Sequence, residues 1–190
     1  MLEGIKNLHF VGIGGVGMSA IAEVMLDKGY EISGSDLSES AVVKHLKAKG
    51  ATIYKGHDAL NVEGKEALVL SSAIHQDNPE LVAAKAKGLK LFHRSDILAY
   101  LLNDAKGIAV AGAHGKTTTS SMISVVLEHA KVDPTILIGG FVDYLKGNAK
   151  LGKSDYLVAE ADESDGSFLK FYPKIAVVTN IEDDHMDHYG

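Results

Sequence analysis

The chain has 190 residues, 46% hydrophobic and 23% charged, with a formal net charge of -6 and no cysteine. This is the composition of a globular chain able to bury one large or two modest cores. The acidic balance without any Lys/Arg run excludes a general nucleic-acid binder, and the lack of cysteine excludes disulfides and thiolate metal sites. No apolar run approaches the roughly 18 residues that span a bilayer, and residues 1–9 lack a basic stretch followed by an apolar core. A cytoplasmic protein without membrane partners is expected.

Leu8-His-Phe-Val-Gly-Ile13 reads as a buried parallel strand running into Gly12-Ile-Gly14-Gly15-Val16-Gly17-Met18-Ser19. The glycines at 12, 14 and 17 fit G-x-G-x-x-G. A helix follows with Met18, Ile21, Ala22, Met25 and Leu26 on one face, stopped by Gly29. The next strand, Tyr30–Gly34, leads to Asp36, about 20 residues beyond the glycines, where an acid meets a ribose in dinucleotide sites. Glycines at such a turn can serve tight geometry alone, but the acid at this spacing favours a ligand. The fingerprint calls for a diphosphate, which NAD and a UDP-sugar both carry.

The alternation continues with a helix over 40–49, a strand over 51–54 and a strand over Ala67–Ser72 that ends in Ser71 and Ser72. Asn78 and Pro79 read as the N-cap and first residue of a helix that stops at Gly88. A strand over 89–92 and a helix over 97–102, capped by Ser95 or Asp96, complete the first half. Such alternation predicts an open, mostly parallel sheet covered on both faces, with ligands beyond the carboxyl ends of its strands. Gly14, Gly15, Val16, Gly17, Met18, Asp36, Ser71 and Ser72 then share one rim.

Residues 103–107 are polar and aperiodic, a domain link between 1–102 and 108–190. Gly107-Ile-Ala-Val-Ala111 is a strand entering Gly112-Ala113-His114-Gly115-Lys116-Thr117-Thr118, which opens a helix carrying Met122, Val125, Val126 and His129 at helical spacing. Loop amides and a helix N-terminus make an anion site, Lys116 adds a mobile positive charge, and the Thr117 hydroxyl suits Mg2+. Val110 stands where G-x-x-x-x-G-K-[ST] has its first glycine. His129 reads as a partly buried structural residue.

Pro134–Ile138 is a strand closed by Gly139-Gly140. Two later strands, Asp155–Ala159 and Lys174–Thr179, run into acidic clusters, Glu160-Ala-Asp162-Glu163-Ser-Asp165 and Glu182-Asp-Asp184-His185. In an open sheet such ends lie beside the phosphate loop. There Glu160, first after its apolar strand, is the acid expected to join the loop threonine at magnesium. The other acids are read as surface or capping residues. His185 reads as a helix-start or substrate contact, because Mg2+ prefers oxygen.

These residues resemble a known family, the Mur ligases of bacterial peptidoglycan synthesis. Gly112-Ala-His-Gly-Lys-Thr-Thr118 is similar to that family's Gly-Thr-(Asn/His)-Gly-Lys-Thr, with Ala113 in place of the usual Thr. Glu160-Ala-Asp-Glu-Ser-Asp-Gly-Ser-Phe168 and Asn180-Ile-Glu-Asp-Asp-His-Met-Asp187 resemble its later blocks. His9–Ser19 and Ser33-Gly-Ser-Asp36 are similar to its L-alanine-adding branch.

The resemblance implies a Rossmann-like domain for a UDP-sugar, followed by a P-loop-type α/β domain for ATP and Mg2+. It implies amide formation between UDP-N-acetylmuramate and L-alanine through an acyl phosphate. Lys116 would stabilise phosphoryl transfer, Thr117 and Glu160 would hold the ATP magnesium, and His185 would contact a second metal. Family members have three domains and more than twice this length, so the second domain is expected to be incomplete and the chain inactive by itself. An NAD-binding oxidoreductase module, a UDP-sugar-binding protein without catalysis, and the family branch that adds a recycled tripeptide are the alternatives.

Overall fold

Leu8, His9, Phe10 and Val11 have no exposed surface in the strand Asn7–Val11 (β1). Burial on both faces is what a central parallel strand requires, and it explains a nearly continuous apolar run. The computed structural model describes residues 1–162 and 166–183. It divides into two units, Met1–Ile97 and Leu98–Gly190.

In the first unit, β1 is joined by Glu31–Asp36 (β2), Thr52–Lys55 (β3), Ala67–Leu70 (β4) and Lys90–His93 (β5). All pair in parallel in the order β3-β2-β1-β4-β5. The order reverses direction between β1 and β4, which is where an open α/β sheet leaves a crevice. The helices are Val16–Asp27 (α1), Ala41–Ala48 (α2) and Pro79–Ala86 (α3), and the first unit ends within Arg94–Asn103 (α4). Helices α1, α2 and α3 end before Gly29, Gly50 and Gly88, each at positive φ, a backbone turn that glycine adopts without strain. Core residues such as Phe10, Ile13, Ile21, Met25 and Leu46 are buried, each worth roughly 1.5–3 kcal/mol of apolar transfer.

Asn78 caps α3 as expected, its Oδ1 accepting from the amides of Glu80 at 2.9 Å and Leu81 at 3.3 Å. At α4 the helix starts at Arg94, and Asp96 Oδ2 reaches back to the His93 amide at 2.8 Å, the reciprocal half of a capping box. Ser95 is therefore inside the first turn rather than its cap.

Beneath the same sheet lies a buried carboxylate that sequence reading missed. Glu80 Oε1 accepts from Asn61 Nδ2 at 2.7 Å and meets His9 Nε2 at 3.2 Å. Its Oε2 accepts from Ser35 Oγ at 2.6 Å and meets His57 Nδ1 at 2.9 Å. Glu80, His9 and Ser35 are fully buried. Burial by itself would push the Glu80 carboxyl up, but the hydrogen bonds from His9, Ser35, Asn61 and His57 outweigh it and hold it down at about 2.

The second unit is built on Lys106–Ala111 (β6), Lys116–His129 (α5), Thr135–Val142 (β7), Gly147–Lys150 (β8), Tyr156–Glu160 (β9) and Ile175–Val178 (β10). The sheet order is β10-β6-β9-β7-β8, parallel except for β8. Asn103 closes α4 and Lys106 opens β6, so regular structure takes up most of the expected link at 103–107. The approach is tight there, since a Cβ on Gly107 would come within 2.8 Å of Leu102 O.

Two expectations fail in this unit. Gly139-Gly140 does not close a strand, because β7 continues to Val142 and pairs antiparallel with β8. The Met122/Val126 stripe of α5 faces outward, at 59% and 66% exposure, and His129 is exposed, its Nδ1 2.9 Å from Val125 O. The buried positions of α5 are instead Ser120 and Ser124, whose hydroxyls donate to the carbonyls of Lys116 and Ser120. Small side chains whose hydroxyls are satisfied within the helix let it lie close to β7 and β9.

Candidate nucleotide sites

The first site grows from the end of β1. The amides of Gly12 and Ile13 both donate to Ser35 O, at 2.9 and 3.0 Å, and the Gly14 amide donates to Asp36 Oδ2 at 2.8 Å. Asp36 Oδ1 accepts from the Ser38 amide and hydroxyl at 3.0 and 3.1 Å. A Cβ on Gly14 would come within 2.7 Å of Asp36 Oδ2, so glycine is needed for the acid to reach the loop. Gly15 then caps α1 with no side-chain hydrogen bond, which leaves the cap to backbone groups beside the positive end of the helix dipole.

Ser71 and Ser72 follow β4, across the β1/β4 reversal from this loop. Ser72 Oγ lies 3.1 Å from His93 Nε2, and His93 Nδ1 lies 2.7 Å from Ser95 Oγ, so a buried serine orients the ring that orients Ser72. Of the remaining predicted residues, Val16 is exposed while the Met18 side chain is buried in the core. Met18 can offer a ligand its backbone only. Arg94 was missed. A Cβ on Gly17 would lie 3.3 Å from Arg94 Nη1, which sets the guanidinium against the first turn of α1. Its one sequence signal was a basic residue just beyond a strand on the carboxyl rim.

The second site grows from the end of β6. Gly112 has φ 128° and a Cβ there would overlap Thr179 Oγ1, so no other residue fits this turn. The loop is fastened to the end of β10. Thr179 Oγ1 donates to His114 O at 2.6 Å, Asn180 Nδ2 donates to the same oxygen at 2.9 Å, and the His114 amide donates to Asn180 Oδ1 at 3.0 Å. Ala113 lies within this stapled turn. Gly115 is the left-handed N-cap of α5, and Lys116 Nζ donates back to Gly112 O at 2.5 Å, which holds the cation over the loop. Thr117 and Thr118 are exposed on the first turn of α5.

Glu160 is the last residue of β9, in register with Val110 of β6, and its Oε1 lies 3.3 Å from Ser120 Oγ. The two glycines of β7 make room here. A Cβ on Gly139 would come within 2.6 Å of Glu160 Oε2, and one on Gly140 within 3.1 Å of Thr117 Cγ2. Gly139 thus clears room beside Glu160, and Gly140 clears room beside Thr117. The donors are a hydroxyl and a carboxylate, the oxygen set that suits magnesium carrying its own waters and phosphate ligands. No group of three or more His, Cys, Asp or Glu side chains suited to a metal occurs among the described residues. His185 and Asp184 lie outside the described residues.

Two sequence profiles cover nearly the whole chain: "Mur ligase family, catalytic domain" matches residues 7–117, and "Mur ligase middle domain" matches residues 110–190. The chain belongs to the Mur ligase family. Curated Mur ligases named UDP-N-acetylmuramate–L-alanine ligase, from Dictyoglomus turgidum and Hydrogenobaculum sp., are 55% identical over 184 residues and 56% identical over 187. These matches take in 97% and 98% of this chain but 40% and 42% of the relatives, so the chain spans about two-fifths of their length.

Among solved Mur ligases, UDP-N-acetylmuramate:L-alanyl-gamma-D-glutamyl-meso-diaminopimelate ligase from Neisseria meningitides superposes with a TM-score of 0.89 at 31% identity. That match covers 98% of this chain and 64% of the other. UDP-N-acetylmuramate-alanine ligase from Thermotoga maritima superposes at 0.87 with 34% identity, covering 97% and 43%. Both neighbours carry the two successive α/β units of this Mur ligase chain.

Proposed function

We propose that this chain supplies the UDP-sugar site and the ATP phosphate loop of a ligase that joins L-alanine to UDP-N-acetylmuramate. The observation that carries the reading is the loop Gly112–Thr118, fastened to Thr179 and Asn180 and bordered by Glu160. An apolar sheet end that presents a lysine, loop amides and a metal-binding oxygen pair suits phosphoryl transfer, which depends on positioning and charge neutralisation. The L-alanine assignment rests on curated relatives at 55–56% identity.

In this reading the diphosphate lies on the Gly14–Met18 turn with Arg94 as its cation, and Asp36, Ser71 and Ser72 complete the pocket. A carboxylate oxygen of UDP-N-acetylmuramate attacks the γ-phosphorus of ATP, the β–γ bridging P–O bond breaks, and ADP leaves. The nitrogen of L-alanine then attacks the acyl carbon, the C–O bond to phosphate breaks, and the amine proton passes to solvent or a base. Lys116 holds the γ-phosphoryl oxygens while negative charge builds on them. Thr117 and Glu160 would hold magnesium, which when bound neutralises phosphate charge; His185 is proposed for a second metal. Dependence on ATP makes the cytoplasm the proposed location.

A second reading, ligation of a tripeptide to UDP-N-acetylmuramate, draws on the Neisseria neighbour, whose fold matches equally well. Phosphate release by a protein of the relatives' full length carrying this chain separates them. Release that requires ATP, UDP-N-acetylmuramate and L-alanine is expected; release with the tripeptide and none with L-alanine would overturn the assignment.

A further inference from the structure

Glu80 takes part in no step above, yet every lone-pair direction of its buried carboxylate is engaged. A buried charge of this kind is often replaceable by apolar packing without loss of stability, so its partners are where a role must be sought. Three of them, His9, His57 and Asn61, tie α3 to β1 and to the segment after β3. The fourth leads to the glycine loop. Ser35 donates its hydroxyl to Glu80 Oε2 at 2.6 Å, while its carbonyl accepts the amides of Gly12 and Ile13. The next residue, Asp36, accepts the amide of Gly14. Three successive loop amides thus hang on residues 35 and 36, and the side chain of residue 35 hangs on Glu80.

We propose that Glu80 is a positioning residue for the Gly12–Gly17 loop, acting through Ser35, and that it sets the affinity of this unit for a uridine diphosphate group. The proposal rests on the reading of that loop as the UDP-sugar site. With the carbonyl of Ser35 fixed in place, the loop amides are aimed before the ligand arrives, and no binding energy is spent on ordering them. Losing the anchor loosens the seat of the Ser35 carbonyl on which the loop amides hang.

The test uses two variants of the 190-residue chain. Glu80→Gln removes the charge. Ser35→Ala cuts the link and leaves Glu80 with His9, His57 and Asn61. Uridine diphosphate is titrated by calorimetry, and amide resonances of Gly12, Ile13 and Gly14 are followed, with Gly112 and Gly115 reporting any uptake at the other loop. Both variants are expected to bind about tenfold more weakly, the equivalent of one charge-assisted hydrogen bond, with the three loop amides displaced and Gly112 and Gly115 unmoved. Folded variants that bind within about twofold of the parent and leave the three amides in place overturn the proposal. If Glu80→Gln does not fold, Ser35→Ala decides by the same two readings. A parent chain that takes up no uridine diphosphate refutes the site itself, and in that case loop amides unmoved in Ser35→Ala still refute the link.

Discussion

Acidification offers a clear stability test of the first unit, because one buried group dominates it. Glu80 ionises at about 2 in the fold against an ordinary 4.5. Between those values the unfolded chain binds a proton that the folded chain does not, so stability rises with pH across the window. The contribution is fully present above about pH 4.5 and is lost as pH falls through 2. Its size is about 3 kcal/mol, a large share of the stability of a domain this small. Urea unfolding followed by far-ultraviolet circular dichroism, repeated between about pH 6 and 2, should show the parent losing that amount relative to Glu80→Gln, whose side chain carries no charge to lose. Curves for parent and variant that run parallel through the window would refute the account of how His9, Ser35, Asn61 and His57 hold the carboxylate.

Three substitutions test the sites, the first two in a protein of the relatives' length. Lys116→Ala should cut the turnover rate about a hundredfold or more, measured by phosphate release, with the fold retained because its bonds to Gly112 O and Ala113 O lie within the loop itself. Gly139→Ala should push Glu160 aside, because its Cβ would sit 2.6 Å from Oε2. The expected sign is a raised magnesium requirement for phosphate release at saturating ATP, and an unchanged requirement would contradict the magnesium role proposed for Glu160. Arg94→Ala should weaken uridine diphosphate binding by about tenfold in calorimetry, the loss of one charged hydrogen bond.

Much of this architecture was legible because parallel strands buried on both faces leave apolar runs, and helices stopped by glycine leave punctuation. β1, β4, β6 and β9 are of this kind, and the loops that follow β1 and β6 carry the two glycine motifs. β8 was invisible: Gly147-Asn-Ala-Lys150 has no alternation, and only pairing with β7 makes it a strand. Gly139-Gly140 suggested an end, whereas the glycines are there because Glu160 and Thr117 fill the space their side chains would need. α5 misled in a different way. Its apolar stripe lies outward and its serines inward, since close helix–sheet approach selected small residues that satisfy their own hydroxyls.

At the sites, position along the chain predicted which residues stand on the rims, but not how they are held. Asp36 was expected to meet a ribose; in the fold it is the acceptor that fixes Gly14. Thr179 and Asn180, at the end of an edge strand, staple the phosphate loop through contacts 65 and 66 residues apart in sequence. Arg94 and Glu80 belong to helices whose motifs signalled nothing but a start. Long-range hydrogen bonds of this type leave no periodicity to read.

The most direct test of the central claim is calorimetry of the 190-residue chain with UDP-N-acetylmuramate and, separately, with NADH. The account predicts saturable uptake of UDP-N-acetylmuramate at one site per chain, weakened by Arg94→Ala, and no uptake of NADH. Uptake of NADH with none of UDP-N-acetylmuramate would contradict it.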